Sequence, residues 1–134
     1  LIKSSEEIFL ELAPVDPRSL MQGDYMALEY KIANEMRRKL RDQGGVSQNS
    51  IAVVSLNNKR IASYKRLWTG QSLGAGERIM TYPFGVDSFF FEEGQGKRYE
   101  NARYGIFLLD KKGRTILRAL ADENQVRIEP EPAS

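Results

Sequence analysis

The sequence has no histidine and no cysteine among its 134 residues. Without histidine, it lacks the side chain that most often acts as a general base near neutral pH, and also the commonest ligand of zinc and copper. Without cysteine there can be no disulfide framework and no thiol chemistry, and this absence does not decide between cellular compartments. Any catalysis would have to use carboxylates, lysine, tyrosine or serine. We expect no metal and no cofactor.

A strong net charge and long apolar runs are also missing. The formal net charge of +2 is too small to indicate binding to nucleic acid or to an anionic membrane by itself. The densest apolar runs, Ile51 to Val54 and Ile106 to Leu109, have the length of strands and fall far short of the roughly 20 residues of a spanning helix. The first residue is Leu1 and not methionine, which indicates a fragment or a processed product.

The composition that remains is typical of a globular protein. Hydrophobic residues make up 41% and charged residues 28% of the chain, and a chain of this length can bury a sizeable core. We expect a single domain over residues 1–128. The acidic tail over residues 129–134 contains two prolines and is expected to be frayed.

Short segments of alternating hydrophobicity recur along the chain between turn residues. A short amphipathic helix is predicted over residues 33–43, with Met36 and Leu40 on its inner side, because Gly44 and Gly45 end the pattern. The spacing indicates a mainly β fold, an antiparallel sandwich or small barrel of about seven or eight short strands with one or two short helices, and an α+β fold is the near alternative. The predicted strands cover residues 8–12, 24–32, 51–56, 60–68, 77–84, 88–92, 104–109 and 115–120.

The stretch Gly23-Asp24-Tyr25-Met26-Ala27-Leu28-Glu29-Tyr30 combines a turn with the start of a strand. Its alternation places Met26, Leu28 and Tyr30 on one face and Tyr25 on the other. Asp24 has two interpretations. It can accept backbone hydrogen bonds within the turn, as such aspartates commonly do, or it can be a catalytic or binding carboxylate.

A second notable stretch is Phe89-Phe90-Phe91-Glu92-Glu93-Gly94. Successive strand residues point to opposite faces, so Glu92 and Glu93 cannot act together as one carboxylate pair. One of them could meet Asp24 across the sheet, as a hydrolase with a general acid and a general base requires. The alternative is an ion pair with Lys97, Arg98 or Arg103. The same alternation exposes at least one phenylalanine, which suggests an interface.

Tyr99, Arg103 and Tyr104 form a third candidate group. If residues 97–103 form a helical turn, Tyr99 and Arg103 share one face at positions i and i+4. The guanidinium would then stack on the aromatic ring, or the two side chains would line a pocket for an anionic group in a small-ligand-binding β domain.

These stretches carry a family resemblance. Residues 23–30 spell G-D-Y-x-x-L-x-Y, and the chain resembles the bacterial GDYXXLXY proteins, which are named after that motif. The block from Phe89 to Gly94 and the stretch Tyr99-Glu100-Asn101-Ala102-Arg103-Tyr104-Gly105 are similar to the family's later aromatic, EG and YxxARYG block. The resemblance covers nearly the whole chain.

The resemblance implies an architecture and a setting, but no activity. Members of the family have a hydrophobic helix near the N-terminus followed by a domain outside the cytoplasmic membrane, and their genes lie beside those of multi-pass membrane proteins. We therefore expect a non-catalytic, membrane-anchored domain on the extracytoplasmic or periplasmic side, with its anchor upstream of Leu1. Its expected partner is a multi-pass membrane protein. The two motif blocks, residues 23–30 and 92–105, are expected to pack side by side.

Overall fold

The computed structural model describes residues 5–13, the backbone of residues 21–22, and residues 25–130. Most of the regular structure in these residues is β-strand. The first elements are the strands β1 (Glu6–Glu11), β2 (Met21–Gln22) and β3 (Tyr25–Ala27), followed by the helix α1 (Lys31–Leu40) and a 3₁₀ turn (Arg41–Gln43). The remaining elements are β4 (Ile51–Leu56), β5 (Ala62–Leu67), β6 (Glu77–Thr81), β7 (Ser88–Phe90), a second 3₁₀ turn (Gly96–Tyr99), β8 (Tyr104–Leu109) and β9 (Thr115–Ala121).

The strands form three antiparallel sheets of three strands each. Their orders are β1-β8-β9, β5-β4-β6 and β2-β3-β7. The first two sheets meet where the backbone N–H of Phe9 donates to the carbonyl of Arg60 at 2.9 Å, next to a parallel bridge between Phe9 and Ile61. The prediction of a mainly β, antiparallel fold with short helical elements is confirmed. Within the described residues the sheets stay separate and do not close into a barrel.

An ion cluster fixes the same junction on the outside. The carboxylate of Glu6 on β1 accepts from Nε of Arg78 on β6 at 2.5 Å and also from the guanidinium of Arg60. The hydrogen bond from Arg78 is the main reason that the pKa of Glu6 lies below its usual value, and it outweighs the opposing effect of burial. All three side chains are between 31% and 43% exposed, so this cluster orients the sheets more than it stabilises them.

The helix α1 covers the core at β1 and β5. Its buried side chains Ile32, Met36 and Leu40 recur at helical spacing, as predicted. The helix begins at Lys31, two residues earlier than predicted. It ends where expected, because Gly44 adopts a left-handed conformation with φ of 91° and the N–H of Gly45 donates to the carbonyl of Leu40 at 2.9 Å.

The predicted long strand over residues 24–32 is wrong in its length. β3 ends at Ala27, and the chain turns into α1 at Lys31 because the residues that follow are strong helix formers. The predicted alternation nevertheless holds for burial, since Met26, Leu28 and Tyr30 are 1%, 7% and 4% exposed. Tyr30 keeps an extended backbone as the residue that caps α1.

The segment between β6 and β7 lies against the core. β6 ends at Thr81, earlier than predicted, and the peptide bond between Tyr82 and Pro83 is cis. Gly85 has a φ of +65°, and a Cβ atom there would lie 2.5 Å from Cζ of Phe107. A side chain at this position would collide with the fully buried ring of Phe107, so the close approach requires glycine.

Candidate functional site

β7 lies at the edge of its sheet and carries aromatic side chains on both faces. Phe90 is 71% exposed, and its ring centroid lies 5.7 Å from that of Tyr25, its neighbour across the β3–β7 pair. Phe89 and Phe91 contact Tyr99 instead, with ring centroids 4.9 Å and 5.4 Å away. The alternation of strand side chains therefore gives this segment one exposed ring, that of Phe90 beside the half-buried Tyr25, and an inner aromatic cluster.

Tyr99 and Arg103 do not form the predicted pair. The 3₁₀ turn that ends at Tyr99 places its ring in the core, 3% exposed, and burial raises the pKa of its hydroxyl. Arg103 is exposed, and its guanidinium donates to the carbonyls of Ala102 at 2.9 Å and Glu100 at 3.4 Å. The prediction of a shared helical face is wrong because the helical turn stops at Tyr99.

Tyr104 has a packing role. It is half-buried on β8, and its ring meets that of Phe9 edge-to-face at 6.0 Å. Both rings pack against a small cluster of buried residues, Ile106, Ala119 and Ala121.

An apolar cleft of about 670 Å³ opens beside β7. The aromatic side chains of Phe89 to Phe91 and Tyr99 form one wall, and β9 and the C-terminal segment form the other. Its volume lies within the range of small-molecule and peptide sites. The remaining lining residues are Glu92, Gln95, Arg118, Ala119, Arg127, Ile128 and Pro130.

Arg118 reaches this cleft from a bulge in β9. Ile106 of β8 pairs with Ala119, whereas Phe107 pairs with Leu117, so Arg118 is an extra residue without a partner across the sheet. Bulges of this kind redirect a side chain relative to its neighbours. Arg118 is exposed, and no carboxylate in the described part of the chain lies within 4.0 Å of its guanidinium.

The C-terminal segment forms the second wall. The N–H of Ile128 donates to the carbonyl of Leu120 at 2.9 Å, so the segment runs along the edge of β9. Arg127 pairs with the carboxylate of Glu129 at 3.1 Å, and Nε of Arg98 donates to the carbonyl of Glu129 at 2.8 Å. Glu129, the first residue of the predicted frayed tail, is held by these two contacts, and residues 131–134 lie outside the described part.

Of the predicted carboxylate pair, the structure describes only the two candidate glutamates, Glu92 and Glu93. Glu92 and Glu93 are both exposed, and only Glu92 lines the cleft. The predicted ion pairs with Lys97, Arg98 or Arg103 are absent from the described residues. Asp24, their proposed partner, lies outside the part of the chain that the structure describes, as does Gly23.

Tyr30 is held as a structural residue. Its hydroxyl donates to the carbonyl of Val86 at 2.6 Å, and its ring meets that of Phe107 at 5.6 Å. Burial is the largest cause of a strongly raised pKa for this hydroxyl. The Tyr30 hydroxyl is therefore neutral, and its hydrogen is already donated to the Val86 carbonyl. It is available neither as a base nor as a free hydrogen-bond donor.

The sequence analysis missed Arg118 and Arg127. A signal for Arg118 was present, since the run Ala119-Leu120-Ala121 directly after it breaks the alternation of the predicted last strand. Such a break is typical of a bulge. Arg127 gave no signal, because its position depends on how the C-terminal segment pairs with β9.

Comparison with known protein families identifies the family of this chain. The family model described as GDYXXLXY protein matches residues 1–120. The chain belongs to the GDYXXLXY protein family. Comparisons with curated proteins and with solved structures found no match. The family match of this GDYXXLXY protein includes β7 and nearly all of β9, whereas Arg127 and Ile128 lie beyond it.

Two further properties of the GDYXXLXY domain bear on its function. No helix among its described residues is both long enough and apolar enough to cross a membrane. The same residues contain no cluster of three or more acidic side chains placed to hold a metal ion. A third feature is the aromatic surface that Phe89, Phe90 and Phe91 form around β7.

β7 lies between the two sequence blocks and contacts a residue of each. β3, from the first block, pairs with β7 through the registers Tyr25–Phe90 and Met26–Phe89. The Phe89 side chain then contacts Tyr99 of the later block. The described part of residues 23–30 thus lies against the aromatic strand that leads directly into residues 92–105.

Proposed function

We propose that this GDYXXLXY protein is a non-catalytic domain of a membrane-anchored protein, facing the extracytoplasmic or periplasmic side, and that it binds a membrane-protein partner. The observation that carries the proposal is the exposed ring of Phe90. This side chain lies on the edge strand β7, is 71% exposed and neighbours the ring of Tyr25. Large aromatic side chains are enriched at protein interfaces and often dominate their binding energy. The family's multi-pass membrane neighbour is the expected partner.

A carboxylate-dependent hydrolase has less support. Catalytic acids usually lie in clefts where burial or a nearby charge changes their pKa. Glu92 and Glu93 are exposed at the end of β7, and neither has an ion-pair partner in the described residues. No observation favours catalysis over binding.

The binding proposal is tested by co-purification. The full-length, tagged protein would be co-expressed with the multi-pass membrane protein encoded beside its gene, and the complex purified in detergent. We expect Phe90→Ala to reduce the captured partner at least tenfold, since the loss of an aromatic anchor commonly costs about 2 kcal/mol or more. Ile116→Ala is the matched control, because Ile116 is also an exposed apolar residue, 51%, but lies outside the cleft.

One result of this experiment would contradict the binding proposal. If Phe90→Ala captures as much partner as the wild type and the Ile116→Ala control, the aromatic surface is not the interface. Thermal unfolding of the purified variants verifies that the folded state is intact, which we expect because both side chains are largely exposed.

The compartment is tested by cysteine labelling. These 134 residues contain no cysteine, so Val126→Cys, at a position 59% exposed, gives this domain one reactive thiol. We expect a membrane-impermeant maleimide to label this variant in cells whose cytoplasmic membrane is intact. Labelling that requires lysis of that membrane would place the domain in the cytoplasm and contradict the proposal.

A further inference from the structure

β7 offers an unpaired strand edge. It bonds only to β3 in its sheet, and no backbone hydrogen bond extends from its other side to the described residues. Unpaired N–H and C=O groups of this kind can accept a further strand from another chain. At about 3.3 Å per residue, Ser88 to Phe90 present an edge of about 10 Å, which suits a short extended segment of about three residues.

The cleft beside β7 provides room for such a segment. Its opposite wall follows the edge of β9, where Arg127 forms an antiparallel bridge with Ala121 and the N–H of Ile128 donates to the carbonyl of Leu120. Phe89, Phe91 and Ile128 supply apolar surface on both sides. A strand in this position would have its backbone satisfied by β7 and its alternate side chains covered by aromatic rings.

The charges of the cleft indicate what such a strand carries. Arg118 faces the cleft without a carboxylate partner in the described residues, while Arg127 is already paired with Glu129. An acidic side chain on the occupant would supply the missing partner of Arg118, in a charge-assisted and geometrically specific contact. Glu92 lies on the β7 wall, so the acidic side chain is expected on the face of the occupant that points towards β9.

We propose that the cleft binds an extended segment of the partner protein by strand addition to β7, with an acidic side chain held by Arg118 and apolar side chains against Phe89 and Phe91. This inference rests on the proposed binding function, since it specifies which part of the partner the domain recognises. Phe90 also lines the cleft, and we expect its exposed ring to contact the partner protein beside the added strand.

The test uses a phage-displayed library of random nine-residue peptides, selected on the purified 134-residue chain. We expect the selected peptides to share one acidic position flanked, two residues away, by β-branched or aromatic residues. Arg118→Gln should weaken their binding about tenfold, the effect of losing one charge-assisted contact. Arg38→Gln is the matched control, because it removes an exposed arginine of α1 that does not line the cleft.

The strand geometry is tested on the peptide side, where folding of the domain is not at risk. Methylation of alternate backbone nitrogens on the side facing β7 removes the donors of a β-ladder, and we expect it to abolish binding. A peptide methylated on the other register should bind as before. Equal binding of the two methylated peptides would overturn strand addition.

Three other results would overturn the inference. Selected peptides could lack a shared acidic position, Arg118→Gln could bind them like the wild type, or free glutamate at millimolar concentration could displace them completely, which indicates a small-molecule site. The two proposals fail separately. Partner capture that depends on Phe90 but not on Arg118 retains the binding function without strand addition, whereas capture independent of Phe90 removes the binding function itself.

Discussion

Replacing Gly85 with alanine should destabilise the protein by about 3 kcal/mol, because two separate costs meet at this position. The backbone of Gly85 has a φ of +65°, which an L-residue adopts at a cost of about 1 kcal/mol. The new Cβ would lie 2.5 Å and 2.7 Å from two atoms of the Phe107 ring and 3.1 Å from Cζ of Tyr30.

The steric cost is large because the rings of Phe107 and Tyr30 have no free space into which they could move away from the new Cβ atom. Phe107 is 0% exposed and Tyr30 is 4% exposed, and both lie in the main core. Overpacking of this kind typically costs about 1–3 kcal/mol. With a urea dependence of about 2 kcal/mol per M, the denaturation midpoint is expected to fall by about 1.5 M.

Gly94→Ala is the matched control for this experiment. Gly94 has a similar positive φ of +87°, but a Cβ there would meet nothing within 4 Å. It should therefore show the backbone cost alone, about 1 kcal/mol. If Gly85→Ala is no more destabilising than Gly94→Ala, the close approach to Phe107 does not exist. Phe107→Leu should reduce the cost of Gly85→Ala, and a double-mutant cycle without this coupling would refute the steric explanation.

Two further predictions concern single side chains. Tyr30→Phe should lower the free energy of unfolding by about 1 kcal/mol, since it removes the hydrogen bond to the Val86 carbonyl, and a cost near zero in urea denaturation would show that this bond contributes nothing. For Glu77, the hydrogen bond from Arg66 is the main cause that lowers the pKa to about 2. A lowered pKa in the folded state stabilises the protein above the unfolded value of 4.5, and this contribution is lost as the pH falls towards 2. The stability difference between the wild type and Glu77→Gln should therefore disappear over that range, and a difference independent of pH would contradict the assignment.

The hairpin of β8 and β9 shows what the sequence could predict. Its first strand has the predicted bounds, because the turn chemistry is local. Asp110 accepts the backbone N–H groups of Lys112 and Arg114, both at 2.9 Å, and Nε of Arg114 at 2.7 Å. Burial alone would raise the pKa of Asp110, but these donors together lower it. A single buried aspartate thus fixes the turn from within a five-residue stretch.

The bounds of β3 could not be predicted in the same way. The alternation from Met26 to Tyr30 correctly gave the buried face, yet a strand lasts only as long as it has a neighbour to pair with. β3 and β7 share three residue pairs, the last of them Ala27 with Ser88. The helix begins soon afterwards, at Lys31, where residues of high helix propensity follow. The hydrophobic pattern of a segment predicts which side chains are buried. It does not predict where the strand ends, because that depends on pairing with a strand far along the chain.

The cleft is the least predictable feature, because three separate segments build it. Phe89 to Phe91 belong to the β2-β3-β7 sheet, whereas Arg118 belongs to the β1-β8-β9 sheet and residues 127–130 follow it, so these segments meet only in the tertiary structure. Two local signals were present in the sequence. The run of three phenylalanines forces at least one ring outwards, and the broken alternation after Arg118 indicates a bulge.

The family motif can now be divided by physical role. Met26, Leu28 and Tyr30 are buried, and the Tyr30 hydroxyl is bound to a backbone carbonyl, so these positions are explained by folding. Tyr25 alone among the described motif aromatics lies beside an exposed ring, that of Phe90. A motif needed only for folding would not place an aromatic pair at an open sheet edge. An apolar ring is exposed to water there, and such an edge can associate with another chain. Tyr25 is therefore the motif residue at which substitution should separate partner binding from stability.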